Sequence, residues 1–200
     1  MTNPPALEHG KYYHIYNRGN NRENIFCEER NYAYFLRLYA EHVTPITDTY
    51  AYCLMRNHFH LLVRIKEDQS PTDTGLKEPS RYFSNFFNAY ARAFNRAYQR
   101  SGALFERPFG RVEVTSEDYL ATLIVYIHRN PQKQGFVPDF RDWPHSSYHT
   151  LLATGATRLR REEVLSYFGG FRQLVEGHYQ DPSEASVLQF VPVEFNGDDT

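Results

Sequence analysis

The order in which strand and helix patterns follow one another constrains the fold of this chain more than any other feature of its sequence. Aromatic and β-branched residues over Tyr12–Arg18 indicate a strand, and apolar residues at helical spacing over Asn31–His42 indicate a helix. The same patterns then predict two strands, a long helix and a fourth strand: Thr49–Met55, His58–Lys66, Pro79–Arg100 and Arg111–Thr115. This β-α-β-β-α-β order is typical of an α+β, ferredoxin-like fold, in which an antiparallel sheet carries its helices on one face.

The remainder of the chain predicts helices rather than further strands. A helix that begins after Ser116 is expected to end at Asn130, because a proline follows. Another helix is expected near Arg161–Phe168. We therefore expect one domain over residues 1–150 and a C-terminal helical extension with an acidic tail over residues 151–200.

Charge is distributed unevenly along a chain whose net charge is only −2. Residues 176–200 contain six acidic residues and neither Lys nor Arg, whereas residues 77–111 contain seven basic and two acidic residues. The basic stretch is either a solvated helix face or a surface that binds a polyanion. The acidic tail is expected to repel such a polyanion or to occupy the basic stretch, unless it only adds solubility.

Composition excludes several classes of protein. Aromatic residues make up 16% of the chain, which supplies ample apolar surface for a folded core. No apolar run approaches the roughly 18 residues of a transmembrane helix. The N-terminus lacks a signal-peptide pattern, and two cysteines are too few for a disulfide scaffold. These observations predict a cytoplasmic protein.

The sharpest chemical feature is the histidine pair His58 and His60 on a predicted strand. Side chains alternate between the faces of a strand, so both imidazoles point the same way, about 7 Å apart at the backbone. Two side chains placed in this way can converge on one metal ion or one phosphate. The alternative is a pair of half-buried histidines, each satisfied by a neighbouring group.

A second candidate is Tyr126, on the predicted helix that follows the fourth strand. Tyr126 and Asn130 are four residues apart and therefore share a helix face. A phenol with a pKa of about 10 is a poor nucleophile unless a metal or a base assists it. Simple packing is the alternative for one tyrosine in a chain that contains 16.

Several short motifs accompany these residues in order along the chain. They are YHIYNRG at residues 13–19, YCLMRNHFHLLV at 52–63, GALFERPF at 102–109, YIHRNP at 126–131 and WPHSSY at 143–148. With these motifs spread over residues 12–150, the chain resembles the single-tyrosine HUH transposases, and most closely the REP-associated tyrosine transposase branch. The acidic tail is not part of that shared pattern.

The resemblance implies a metal-dependent transesterase. His58 and His60 would hold Mg²⁺ or Mn²⁺, and Tyr126 would attack single-stranded DNA, leaving a covalent 5′-phosphotyrosine and a free 3′-hydroxyl. The DNA is expected to be a hairpin or repeat end, and the protein a homodimer. Asn130 is either a third metal ligand or the residue that caps its helix, and both interpretations stay open at this point.

Six arginines are predicted to contact the DNA: Arg18, Arg81, Arg92, Arg96, Arg100 and Arg107. Two other functions remain possible for such a chain. One is a nucleic-acid-binding regulator that keeps the fold and performs no chemistry. The other is a metal-dependent nuclease that uses water instead of Tyr126 as its nucleophile.

Overall fold

The computed structural model describes residues 5–67 and 78–180. Within these residues the strands are β1 (Tyr12–Arg18), β2 (Thr47–Leu54), β3 (His58–Ile65) and β4 (Gly110–Val114). The helices are α1 (Glu29–His42), α2 (Pro79–Ala97), α3 (Glu117–Lys133), α4 (Tyr148–Leu152), α5 (Arg161–Phe168) and α6 (Phe171–Tyr179). Most of the predicted acidic tail, residues 181–200, lies outside the described residues. Among the described residues, no helix combines the length and the apolar character needed to cross a membrane.

The four strands of the described chain form one antiparallel sheet in the order β2-β3-β1-β4. The central strand β1 pairs with β3 on one side and with β4 on the other. This is the strand order of the split βαβ pattern, so the predicted α+β, ferredoxin-like fold is confirmed. The register places Tyr16 opposite His60 and Arg18 opposite His58.

The two faces of the sheet support two separate cores. On one face, Phe59 and Leu61 of β3 pack with Phe35 of α1 and Phe86 of α2 in a single buried cluster. This is the face on which the ferredoxin-like pattern places its helices. The opposite face, which carries Leu62, is covered by α3 and by the C-terminal helices. The histidines of β3 therefore lie beneath α3.

Helix α3 does not end where the sequence predicts. Its N-terminus is capped as expected, because the Ser116 hydroxyl accepts the Tyr119 backbone N–H at 3.2 Å. At the other end the helix continues through Pro131 to Lys133, so the predicted end at Asn130 is wrong. Pro131 lies in the last turn, where it forfeits one N–H while the Gln134 N–H still reaches the Asn130 carbonyl at 2.9 Å.

Other element boundaries differ from the prediction by a few residues. Helix α1 begins at Glu29 rather than Asn31, because the Glu28 carboxylate accepts a backbone N–H of the first turn. Helix α2 ends at Ala97, before the predicted Arg100.

The C-terminal extension is joined to the sheet and to α3. Val164 of α5 and Leu174 of α6 belong to the same buried cluster as Leu123 of α3. In addition, His178 Nε2 lies 2.8 Å from His128 Nδ1 of α3, and both imidazoles are buried. The division at residue 150 stays a prediction, and the extension shares a core with α3 across that point.

Candidate active site

Helix α3 and strand β3 bring the four predicted chemical side chains together. His58 Nε2 lies 3.2 Å from Asn130 Oδ1, and the ring centroids of His60 and Tyr126 are 5.6 Å apart. All four residues are buried, none more than 6% exposed. His58 and His60 therefore share one face of β3, and Tyr126 and Asn130 share one face of α3, as the sequence predicts. Strand β3 turns alternate residues towards α3, and α3 turns one residue per turn towards β3.

Two amide oxygens face the two ring nitrogens of His58. Asn57 Oδ1 lies 2.7 Å from Nδ1, and Asn130 Oδ1 lies 3.2 Å from Nε2. Burial lowers the pKa of His58 to about 4, so the imidazole is neutral and carries one N–H. It can donate to only one of these oxygens, and the shorter contact is the one to Asn57. When His58 donates to Asn57, Nε2 and Asn130 Oδ1 meet as two lone-pair donors.

That pair of atoms fits a divalent cation. Neighbouring ligands about 2.1 Å from an octahedral ion are about 3 Å apart, close to the observed 3.2 Å. In residues 5–67 and 78–180, no three His, Cys, Asp or Glu side chains form a group that could hold a metal. The side chains that could hold a divalent cation here are His58, His60 and, through its amide oxygen, Asn130. This set carries no negative charge. The interpretation of Asn130 as a helix cap is wrong, since Gln134 is the C-cap of α3.

His14 is a site residue that the sequence reasoning missed. Its Nε2 lies 2.8 Å from His60 Nδ1, and the two rings stack with centroids 5.0 Å apart. Burial lowers the pKa of His14 to about 3 and the pKa of His60 well below its ordinary value. The place of His14 in the YHIYNRG motif singles it out in the sequence, but its contact with His60 depends on the register between β1 and β3.

The hydroxyl of Tyr126 is neutral and buried. Burial raises the pKa of Tyr126 to about 12, and the amide of Asn130 acts in the opposite direction. The ammonium of Lys133, another residue missed from sequence, lies 5.9 Å from the centre of the Tyr126 ring. A phenol in this state needs assistance before it can attack a phosphate.

The predicted DNA-binding arginines fall into two groups. Arg92 of α2 and Arg107 line an open cavity of about 710 Å³ between α2 and the segment before β4. Arg81 and Arg96 are exposed on α2. These four side chains lie on or beside one surface of the molecule.

The other two arginines are held by carboxylates. Arg100 Nε donates to Glu23 Oε2 at 2.9 Å, and Arg18 Nε donates to Glu106 Oε1 at 2.6 Å. Arg18 also lies opposite His58 in the sheet. Burial is the main cause of the low pKa of His58, and the positive charge of Arg18 lowers that pKa further. Arg18 is therefore next to the histidine site, whereas Arg100 is tied to the loop that carries Glu23.

Three comparisons relate the chain to known proteins. The sequence model of the family described as "Transposase IS200 like" matches residues 8–130. A curated REP-associated tyrosine transposase from Haemophilus influenzae is 30% identical over 104 residues, which is 51% of this chain. That match spans 59% of the relative, less than two thirds of its length. A solved REP-associated tyrosine transposase bound to a REP hairpin superposes with a TM-score of 0.57 at 17% identity, covering 78% of this chain and 87% of that one.

Proposed function

The chain belongs to the IS200-like transposase family, and from that membership we propose that it cleaves and rejoins single-stranded DNA through a covalent bond to Tyr126. The observation that carries the proposal is the meeting of α3 and β3. Tyr126 and Asn130 come from one element, His58 and His60 from the other, and all four side chains converge in one buried site. Each belongs to the same chain, so the proposed chemistry requires one protomer; the predicted homodimer stays a prediction.

The proposed step is a transesterification. The Tyr126 oxygen forms a bond to the scissile phosphorus while the bond from phosphorus to the 3′ oxygen breaks. The phenolic proton is lost and the departing 3′ oxygen gains one, so the step is balanced without water or a nucleotide triphosphate. The products are a 5′-phosphotyrosine and a free 3′-hydroxyl, and the same bond change in reverse rejoins the strand.

His58, His60 and Asn130 would hold the Mg²⁺ or Mn²⁺ cofactor that we include in the proposal. When bound there, the ion would polarise a non-bridging oxygen of the scissile phosphate. The protein's own contribution is to orient Tyr126 beside His60 and to exclude water from both. Arg18, which lies next to His58, would add positive charge beside the phosphate.

We propose that the DNA approaches along the cavity beside α2. Asn88, Arg92 and Asn95 line it from the helix, and Arg107 lines it from the loop. The cavity lies on the α2 face of the sheet and reaches Asn17, so DNA bound there would pass around the end of β1 to reach the histidines on the α3 face. Amide and guanidinium groups suit phosphates and unpaired base edges. The solved relative of similar fold was bound to a hairpin, which supports hairpin DNA as the substrate class.

Access is part of the proposed function. The Tyr126 hydroxyl is buried, so a phosphate can reach it only after α3 shifts relative to β3 or a neighbouring side chain moves. DNA binding would supply that shift. The tyrosine is therefore unreactive until the substrate occupies the site.

Formation of a covalent protein–DNA adduct tests the proposal. Hairpins with randomised single-stranded flanks are incubated with the full chain and Mn²⁺, then separated on denaturing gels. Wild-type protein is expected to form an adduct, and Tyr126→Phe is expected to bind DNA without cleaving it. Tyr119→Phe is the matched control, because it removes a buried hydroxyl from the same helix two turns earlier.

The other two functions predict different outcomes on the same gel. Binding without cleavage by the wild-type protein would identify a regulator. Cleavage without an adduct would identify a nuclease that uses water. An adduct that persists in Tyr126→Phe would show that another residue is the nucleophile.

A further inference from the structure

His60, a proposed metal ligand, lies in a buried contact with His14, which has no role yet in the proposed chemistry. Their facing nitrogens, His14 Nε2 and His60 Nδ1, are 2.8 Å apart, and neither side chain is exposed to solvent. We propose that His14 is a positioning residue that orients the His60 imidazole so that its Nε2 serves the metal. This inference rests on the proposed metal site.

The neighbours of His14 fix the plane of its ring. Tyr16 lies against it with ring centroids 4.9 Å apart, and Tyr126 meets it edge-on at 6.4 Å. His14 is thus held between an aromatic side chain of its own strand and the proposed nucleophile. Because the His14 ring cannot turn freely, its Nε2 offers a fixed hydrogen-bond partner to His60.

The position of the proton on His60 determines which of the two rings donates the hydrogen bond. A neutral imidazole that binds a metal through Nε2 carries its proton on Nδ1 and needs an acceptor there. His14 Nε2 occupies that position. Metal-ligating histidines usually donate to a carboxylate, a backbone carbonyl or water. Here the acceptor is a second neutral imidazole, which adds no negative charge to the site.

The two neutral rings leave two arrangements of the two protons. His14 Nδ1 is buried, and no group in the described part of the chain hydrogen-bonds to it. In one arrangement both protons lie on Nε2, so that His14 donates to His60 and its own Nδ1 carries no hydrogen. With the metal, both protons lie on Nδ1. Each ring keeps one proton throughout, and neither becomes charged.

Two amide substitutions separate this role from general packing. The amide of His14→Gln reaches the position of Nε2, whereas the amide of His14→Asn reaches only the position of Nδ1. Both variants replace the ring by a neutral amide, so a structural defect should appear in both. Calorimetric titration of the full chain with Mn²⁺, without DNA, measures metal affinity, and thermal melts measure folding.

We expect His14→Gln to bind Mn²⁺ within about tenfold of wild type and His14→Asn to bind about 10- to 100-fold more weakly. Wild-type affinity in His14→Asn would overturn the inference, and so would an equal loss in both variants. If wild-type protein and His60→Ala both fail to bind Mn²⁺, the metal site itself is refuted and the inference falls with it. Failure of the inference alone therefore differs from failure of the site.

A measurement on wild-type protein covers the case in which a variant does not fold. A ¹⁵N–¹⁵N coupling through the hydrogen bond between His14 Nε2 and His60 Nδ1 is expected in nuclear magnetic resonance spectra of imidazole-labelled protein. At saturating Mg²⁺ both rings are expected to carry their protons on Nδ1, whichever tautomer the metal-free protein adopts. Protons on Nε2 at saturating Mg²⁺ would overturn the inference.

Discussion

Replacing Asn130 with alanine is expected to weaken metal binding while leaving the fold almost unchanged. The side chain is buried and its oxygen lies 3.2 Å from His58 Nε2. Its backbone carbonyl accepts the Gln134 N–H within the continuous helix α3, so alanine preserves the helix. The variant therefore removes one proposed ligand and little else.

The expected magnitudes follow from the geometry. Loss of one group from a three-residue ligand set is expected to reduce metal affinity about 10- to 100-fold, or about 1.4–2.8 kcal/mol. If Nε2 and Asn130 Oδ1 are two lone-pair donors, no hydrogen bond to His58 is lost in the metal-free protein, and alanine removes only the interaction of the amide with the Tyr126 hydroxyl. Alanine also favours helix, so the free energy of unfolding should change by less than about 1 kcal/mol. The melting temperature would then move by less than about 4 °C.

Calorimetric Mn²⁺ titration beside a thermal melt measures both quantities. Asn57→Ala is the matched control, since it removes the amide that faces the other nitrogen of His58. That variant should lose about 1 kcal/mol of stability and less metal affinity than Asn130→Ala. Unchanged affinity in Asn130→Ala, or a larger loss in Asn57→Ala, would refute the assignment of Asn130 as a ligand.

Three further predictions concern charge and protonation. Alanine at both Arg92 and Arg107, which line the cavity, should lower the salt slope of single-strand binding by about 1.4. Alanine at Arg100, which is paired with a glutamate, should lower it less. Filter binding across a salt series checks this, and a slope equal to that of wild type in the double variant would show that the cavity does not hold phosphates. Truncation after Gln180 removes five acidic residues and should tighten nonspecific DNA binding at low salt; equal low-salt affinities would leave the tail a solubilising segment. Burial lowers the pKa of His178 to about 4. Its contribution of about 3 kcal/mol to the free energy of unfolding is therefore complete above pH 6.5 and is lost as the pH falls towards 4. Urea unfolding across that range should show a shallower pH dependence for His178→Gln, and an identical one would contradict the argument.

Local sequence patterns were sufficient to predict the strands and the face of the sheet on which each side chain lies. Strict alternation over β3 placed His58 and His60 on one side, and spacing by four placed Tyr126 with Asn130. His14 could not be assigned in the same way. Its contact with His60 joins two strands 46 positions apart and depends on their register, which no local pattern contains.

The structure differs from the sequence prediction at two other points, for two separate reasons. The proline rule placed the end of α3 at Asn130, but a proline in the last turn costs only one hydrogen bond, so the helix continues. Arg100 was counted among the DNA-binding arginines, and it falls in the basic stretch of residues 77–111. Glu23 is 77 positions away in sequence, and only the folded chain shows that it holds this guanidinium.

The outer edge of the sheet, strand β2, is covered by residues that follow the segment matched by the family model, residues 8–130. Its backbone is hydrogen-bonded through Leu54 N–H to the His145 carbonyl, Ser147 N–H to the Tyr52 carbonyl, and Arg160 N–H to the Thr49 carbonyl, each at 2.9 Å. A gene copy truncated at residue 130 would encode a strand with its edge bare, and bare edges template aggregation. A chain truncated there is therefore expected to aggregate rather than to accumulate as a soluble fragment.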